Sequence, residues 1–297
     1  MLLGIVLVIT AGVIWGLNGI VFSYIARKSL RFPVVIGIQA AWGVILSWIF
    51  IGNFQVLMAE KIPYIGLLVV VMIISGILCS IGMMIMQRAL KMGHHGIVFT
   101  ISQSAMIIPF LFGVFIFGDN ISFLKWIGVL FVIVSFITFG SERTEVDEST
   151  TSHSAYLWFV LTLIVFFILG VHQILMIIPL HWNGWMDTAN IRIPLFMTGV
   201  LMGYVLAMVK QKTIPRKKDL WFGTLVVPMG FPSLIFFFKG MDLLASTNLV
   251  SIVYPVAIGT TILVFMIYSL FYLRERTPKL AIVGVFVCVA GITLISI

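Results

Sequence analysis

Long apolar stretches separated by short charged segments run along this chain. Each stretch is close to the length of about 20 residues that an α-helix needs to cross a bilayer. The ten stretches cover residues 2–24, 33–52, 64–86, 96–117, 123–140, 156–178, 190–209, 220–238, 248–271 and 280–297. The pattern predicts an all-α polytopic membrane protein of ten transmembrane helices, with almost no sequence left for a soluble domain.

A polar segment, residues 141–154, interrupts this pattern between the fifth and sixth stretches. It is rich in acidic residues, Ser and Thr, and it has no apolar period. Such a composition is typical of a flexible linker. The linker divides the chain into a first five-helix unit, residues 1–140, and a second five-helix unit, residues 155–297.

The two units end in matching sequences. Gly128 follows Asp119 by nine residues, and Gly284 follows Glu275 by nine residues. The second pair lies 156 positions after the first. This agreement in order and spacing indicates that a hydrophobic unit was duplicated.

Shorter matches extend the duplication toward the start of each unit. Gly16-Leu17-Asn18 lies opposite Gly170-Val171-His172, and Ile38-Gln39 lies opposite Ile191-Arg192. Because each unit has an odd number of spans, the second must cross the membrane in the opposite direction to the first. We therefore predict two inverted five-helix repeats with a substrate site where they meet, a plan typical of transporters.

Composition supports the membrane assignment and disfavours other classes of protein. Hydrophobic residues make up 61% of the chain and charged residues 9%, which is too little charge to cover a soluble surface. We attribute the net charge of +8 to basic cytoplasmic loops rather than to nucleic-acid binding. No phosphate loop, metal-spaced cluster or nucleophile motif is evident in the sequence, so we expect no cofactor and no metal.

The basic residues also predict an orientation, because Lys and Arg concentrate in cytoplasmic loops. Fourteen of the 18 fall in odd-numbered loops, and the other four are Lys61, Lys125, Arg192 and Lys239. With ten spans, this distribution places both termini outside the cell. The expected location is the plasma membrane, which in a bacterium is the inner membrane.

The acidic residues bear on the kind of substrate. All ten are predicted to fall in loops, at span ends or in the linker, and none at mid-membrane. A carboxylate within the membrane is the usual proton relay or counter-ion for a cation. We therefore expect a neutral, zwitterionic or anionic substrate rather than a lipophilic cation.

Polar residues within the spans are the candidates for substrate contact, because a polar group in lipid needs a partner in the bundle interior. Those predicted to line a cavity are Trp15, Asn18, Gln39, Gln103, His172, Gln173, Arg192, Ser251 and Tyr254. His172 either takes part in substrate or proton binding or only bonds a neighbouring helix. Arg192 is either an interfacial arginine that extends to the headgroups or a clamp for a substrate anion.

Two prolines in the eighth span, Pro228 and Pro232, should kink or open that helix. The corresponding part of the third span contains Ser75-Gly76 and Ser80-Ile81-Gly82. Interrupted helices at corresponding positions are typical of transporter binding sites, since their unpaired backbone can face substrate. A kink that serves only packing is the alternative.

Four short motifs stand out: Trp15-Gly16-Leu17-Asn18 in the first span, Ala89-Leu90-Lys91 after the third, and Phe117-Gly118-Asp119 and Leu273-Arg274-Glu275 near the ends of the two units. Together they resemble the drug/metabolite transporter superfamily in its EamA-type ten-helix form. The resemblance covers nearly the whole chain. It implies an alternating-access carrier for small organic solutes with a cavity between the halves. It also implies cytoplasmic termini, contrary to the distribution of charge.

We expect a secondary active transporter, not an enzyme, that moves a small polar metabolite such as an amino acid or sugar by alternating access. Its partners would be the solute and the lipid bilayer. Coupling to protons or a counter-solute is open, as is the choice between monomer and homodimer. One alternative is a multidrug or toxic-compound exporter, which would need an aromatic, acid-lined pocket. Another is a membrane-embedded enzyme acting on lipid-linked substrates, which would need clustered acids, histidines or a metal at one membrane face.

Overall fold

A computed structural model describes residues 2–28, 30–53, 55, 62–117, 122–141, 152–182, 185, 188–245, 253–273 and 279–296. Within these residues the chain folds into ten helices, and the all-α prediction is confirmed. In chain order they are α1 (Leu2–Arg27), α2 (Phe32–Phe50), α3 (Ile65–Leu90), α4 (His95–Phe117), α5 (Phe123–Ser141), α6 (Ser152–His181), α7 (Ala189–Lys210), α8 (Lys217–Leu225 and Val227–Ala245), α9 (Val253–Leu273) and α10 (Lys279–Ser296).

Eight of these described helices are long and apolar enough to cross a membrane. The other two, α5 and α10, contain the shorter apolar stretches Phe123–Ser135 and Ile282–Leu294. A helix satisfies its own backbone hydrogen bonds, which is why spans of this composition fold as helices in lipid. The chain is therefore a multi-pass integral membrane protein.

Helix packing joins the two predicted units along their whole length. The main packing partners are α1 with α8 and α9, α6 with α3 and α4, α2 with α7 and α8, α3 with α7, and α5 with α10. When each helix is replaced by its counterpart in the other unit (α1 by α6, α2 by α7, and so on), the same set of pairs results. The pairs α2 with α7 and α5 with α10 map onto themselves. The core thus lies between the units rather than inside either one.

Glycines allow the closest of these approaches, between α3 and α7. A Cβ added at Gly76 would collide with the backbone of Phe196 and Val200, and one at Gly199 would collide with the backbone of Ile73. Small residues at helix crossings let membrane helices come into backbone contact, where dispersion forces are greatest. The small residues of α3 therefore serve packing.

The prediction of interrupted helices was right for α8 and wrong for α3. Helix α8 breaks at Val226, two residues before Pro228, and Pro232 lies inside its second part. Proline has no N–H to donate to the preceding turn, so the helix opens before it. Helix α3 runs through Ser75-Gly76 and Ser80-Ile81-Gly82 without a break.

Two further irregularities were not predicted. Helix α4 tightens to a 3₁₀ turn at Ser104–Met106 and widens to a π-helical turn at Gly113–Phe117. Helix α9 ends in a π-helical turn at Tyr268–Leu273. The two π turns lie at matching distances from the starts of their units. π turns are uncommon and often occur near functional sites.

Several sequence predictions fall outside the described residues. They concern Ser251, the turn around Asp119 and Asn120, the turn around Arg274-Glu275-Arg276, and residues 142–151 of the linker. Helix α8 extends to Ala245, seven residues beyond its predicted end. Asp242 consequently lies in the last turn of this helix.

Candidate functional site

A cavity of about 180 Å³ lies among helices of both units. Residues of α1, α2, α3, α4, α6, α7, α8 and α9 line it. Seven of the nine predicted site residues are among them: Trp15, Asn18, Gln39, Gln103, His172, Gln173 and Tyr254. Residues far apart in the sequence thus face one shared cavity.

The other two predicted site residues differ. Ser251 lies outside the described residues. Arg192 lies near the start of α7 and does not line the cavity. Its guanidinium is fully buried, stands 3.3 Å from Asp242 Oδ1 and lies over the ring of Phe238. This arginine is therefore neither exposed at the interface nor directed into the cavity.

Gln39 occupies the place where α8 breaks. Its Nε2 donates a hydrogen bond of 2.8 Å to the carbonyl oxygen of Val226, the residue at the break. Gly230 packs directly against the same amide, so a side chain at that position would displace it. The buried Gln39 thus stabilises the opened backbone of α8 as well as lining the cavity.

Trp15 is fixed from α8 by a second polar contact. Its indole Nε1 donates a hydrogen bond of 3.0 Å to Ser233 Oγ, and its ring lies 4.8 Å from that of Phe237. Ser233 Oγ donates in turn to the carbonyl oxygen of Gly230. Since an indole ring held at its N–H end cannot rotate freely, Trp15 presents a rigid aromatic surface to the cavity.

His172 is held from two sides. Its Nδ1 lies 2.8 Å from Ser75 Oγ, and Ser75 Oγ also donates to the His172 carbonyl oxygen at 3.2 Å. The imidazole stacks on the ring of Phe196, with 5.5 Å between ring centres. The serine and the phenylalanine fix the ring orientation, so its position relative to the cavity is defined.

Two acceptor atoms at the cavity remain available. Asn18 Oδ1 and Gln173 Oε1 are buried and have no hydrogen-bond partner among the described residues. A buried amide oxygen without a partner loses its hydration without compensation. Both atoms therefore favour a bound group that donates hydrogen bonds.

The described lining of the cavity carries no acidic side chain, lysine or arginine. Its other walls are aromatic and sulfur-containing, with Phe99, Phe237, Tyr204, Met83 and Met197 among them. The lining combines amide and imidazole groups with apolar surface, which suits a small solute having both polar and apolar parts.

Several lining or supporting residues were not foreseen from the sequence. Tyr204, Ser233 and Phe237 line the cavity, and Ser75 bonds to His172. In the sequence, Ser75 stands out only as a small residue next to Gly76. Ser233 follows Pro232, and this position next to a proline within a span is the one signal that could have pointed to it.

Comparison with known proteins identifies the family. The family model described as "EamA-like transporter family" matches residues 2–141. This part of the chain belongs to the EamA-like transporter family. The resemblance inferred from the sequence motifs is therefore confirmed. The match over residues 2–141 indicates a membrane transporter of this family rather than an enzyme.

The fold also has a full-length structural relative, described as "Crystal structure of protein". The two chains are 12% identical, the match covers 99% of this chain and 98% of the other, and the TM-score is 0.61. At this identity the similarity establishes the fold alone. No curated protein matches the sequence.

Proposed function

We propose that this EamA-type transporter carries a small polar metabolite, neutral or zwitterionic, by alternating access between two inverted five-helix halves. The observation that carries the proposal is this cavity, whose described lining has no acidic side chain, lysine or arginine and includes Asn18, Gln103, His172 and Gln173 from both halves. Amides and an imidazole can bind amino, hydroxyl and carboxylate groups without requiring a charged partner. Amino acids and sugars have such groups.

Two features support the inverted repeat. The helix pairs of the core are preserved when the halves are exchanged, and both halves contain a π turn near the end of their fourth helix. In transporters built from inverted repeats, the substrate site lies at the repeat interface and one half rocks against the other. The cavity lies at this interface.

The same cavity disfavours a multidrug exporter. An exporter of lipophilic cations would need a carboxylate in the cavity, and no acid is present among the described lining residues. The volume of about 180 Å³ is also below the roughly 300–1,000 Å³ of pockets that hold drug-sized ligands. The aromatic lining alone agrees with export of such compounds.

A membrane-embedded enzyme finds less support. Among the described residues, no group of three or more His, Cys, Asp or Glu side chains is placed to hold a metal ion. His172, which could take part in acid–base chemistry, bonds to Ser75 and faces a cavity without a carboxylate neighbour among the described lining residues. The lining therefore favours binding over catalysis.

The proposal is tested by uptake into proteoliposomes. Purified protein is reconstituted and supplied with labelled amino acids, sugars and nucleotides, with and without a pH gradient. We expect saturable accumulation or exchange of at least one neutral or zwitterionic solute. No transport of any solute would contradict the carrier proposal, and transport of lipophilic cations alone would favour the exporter.

A variant links this transport to the cavity. Replacing Asn18 and Gln173 together by Leu keeps branched or extended side chains of similar size but removes both available acceptors, so we expect KM to rise by about tenfold or more. Thr293→Val, an exposed replacement of similar shape on α10, is the matched control and should leave KM unchanged. Equal changes in KM in the two variants would show that transport does not depend on these cavity residues.

Coupling to protons can be tested at His172. If protons drive transport, His172→Ala should remove or shift the pH dependence of uptake, because an imidazole can take up and release a proton. An unchanged pH profile would exclude His172 from proton coupling. Exchange with a counter-solute would then be the remaining mechanism. Phe196, which stacks on the imidazole, remains in this variant and limits rearrangement.

Orientation can be tested with Lys212→Cys in the loop between α7 and α8. We expect a membrane-impermeant thiol reagent added to intact cells not to label it, because the distribution of charge predicts that odd loops are cytoplasmic. The native thiols Cys79 and Cys288 lie within spans. Labelling from outside would establish the opposite orientation, with cytoplasmic termini.

A further inference from the structure

A groove separate from the central cavity runs along α3 and α7 at one end of the bundle. Its volume is about 970 Å³. Five cations among the described residues line it, Arg31, Arg88, Lys91, Lys210 and Lys212, and no described lining residue is acidic. We call it the basic groove.

Next to the cations, toward the middle of the two helices, the basic groove has an apolar wall. On α3 this wall consists of Ile77, Ile81, Met84 and Ile85, followed by Arg88. These residues recur at intervals of three and four and therefore share one face of the helix. On α7, Leu206 and Ala207 precede Lys210 in the same way. Each helix thus carries an apolar strip that ends in a cation.

The basic groove lies on the opposite side of α3 from the central cavity. Cys79 and Met83 line the cavity, whereas Ile77 and Ile81 line the groove. Between the two spaces α3 and α7 touch through the backbone at Gly76. The basic groove is therefore on the membrane-facing side of this helix pair and is not the mouth of the substrate cavity.

We propose that the basic groove binds an anionic glycerophospholipid. Its phosphate would meet the cations, and its acyl chains would lie along the apolar strips of α3 and α7. Clusters of Lys and Arg at the ends of membrane helices bind anionic headgroups through charge, and each cation near the surface contributes appreciably. All five cations belong to odd-numbered loops or the adjoining helix ends, the side predicted to face the anionic cytoplasmic leaflet.

The contribution of such a lipid would be to hold α3 against α7. These helices belong to different halves of the transporter, and Arg31 adds the start of α2, where its Nη1 donates to the carbonyl oxygen of Ile214. A lipid bound across α2, α3 and α7 would bridge both halves at one face. This inference does not depend on which solute is carried.

The test compares retention of phosphatidylglycerol and phosphatidylcholine by the purified full-length protein, read by native mass spectrometry. We expect preferential retention of phosphatidylglycerol. Replacing Arg88 and Lys210 together by Gln should lower that preference by about fivefold or more. Lys28→Gln with Lys218→Gln removes two exposed charges from the same face outside the groove, and should leave the preference intact.

Two further arms distinguish a lipid from a soluble anion. Ala207→Trp fills the apolar strip without changing charge, so it should reduce retention of phosphatidylglycerol. Inorganic phosphate and glycerol 3-phosphate should compete weakly, because they lack acyl chains. Strong competition by either, together with full retention by Ala207→Trp, would overturn the proposal and indicate a soluble-anion site.

Equal loss of preference in the groove pair and the control pair would also overturn the proposal, since surface charge in general would then explain it. Should the first pair prove unstable, Lys91→Gln with Lys212→Gln removes two other groove cations that are exposed. An unchanged preference for phosphatidylglycerol in this second pair would contradict lipid binding in the basic groove.

Discussion

Gln39 Nε2 donates a 2.8 Å hydrogen bond to the carbonyl oxygen of Val226, at the break between the two parts of α8. A residue that lines the cavity thus also stabilises the irregular backbone beside it. Met229 N–H reaches the same oxygen at 3.0 Å, so this carbonyl accepts two hydrogen bonds. The shape of the cavity and the opening of α8 are therefore linked through one amide.

We predict that Gln39→Leu lowers both stability and transport. The buried carbonyl of Val226 would keep its bond to Met229 but lose the amide, which costs about 0.5–2 kcal/mol. The midpoint of thermal unfolding in detergent should fall. Gln103→Leu, the same replacement at another lining position, should affect KM more than stability. Equal unfolding midpoints in the two variants would contradict the role assigned to Gln39.

Ser75 should act on transport through His172. Ser75→Ala removes the 2.8 Å contact with His172 Nδ1, and we expect KM to rise by about threefold to tenfold, as for loss of one interhelical hydrogen bond. Ser75→Thr keeps the hydroxyl and should restore affinity. Ser80→Ala on the same helix removes a buried hydroxyl that bonds only within α3 in the contact described, and serves as the control. An unchanged KM in Ser75→Ala would show that His172 does not need this contact.

Trp15 and Ser233 should be energetically coupled. Trp15→Phe removes the 3.0 Å hydrogen bond to Ser233 while keeping an aromatic ring, and Ser233→Ala removes it from the other side. A double-mutant cycle on substrate affinity should give a coupling of about 0.5–1.5 kcal/mol. Independent effects of the two replacements would mean that this contact does not position Trp15 for binding.

The ion pair of Arg192 and Asp242 should contribute to stability. Asp242→Asn leaves the fully buried guanidinium without this carboxylate, and we expect a loss of about 1–3 kcal/mol, limited by the partial exposure of Asp242. Adding Arg192→Gln should recover part of the loss. Lys239→Gln, an exposed change on the same helix, should leave the unfolding midpoint unchanged. A Lys239→Gln effect as large as that of Asp242→Asn would contradict a specific ion pair.

The contact of α3 with α7 should be sensitive to a single methyl group. Gly76→Ala places a Cβ against the backbone of Phe196 and Val200, so the helices must separate, at a cost of about 1–3 kcal/mol. Gly66→Ala lies in open space on the same helix and should be neutral or slightly stabilising. Thermal unfolding of both variants in the same detergent measures the difference. Similar unfolding midpoints would show that the contact between α3 and α7 tolerates a larger residue at position 76.

Some parts of the site were predictable because their physical cause is local. Asn18, Gln103 and His172 were selected since a polar side chain in an apolar helix must face the bundle interior, and the structure brings all three to one cavity. The break in α8 followed from Pro228, which cannot donate a backbone hydrogen bond. The continuity of α3 could not be predicted this way, because Gly76 looked like a weak point until α7 was seen to pack on it.

The sequence alone determined that this is an all-helical membrane protein of EamA type, because apolar length and the spacing of motifs do not depend on how the helices pack. It also determined which polar groups must turn inward. Only the tertiary structure decided which partners those groups find: Val226 for Gln39, Ser75 for His172, and Asp242 for Arg192. Each of these contacts joins residues far apart in the chain, so no local pattern could specify it.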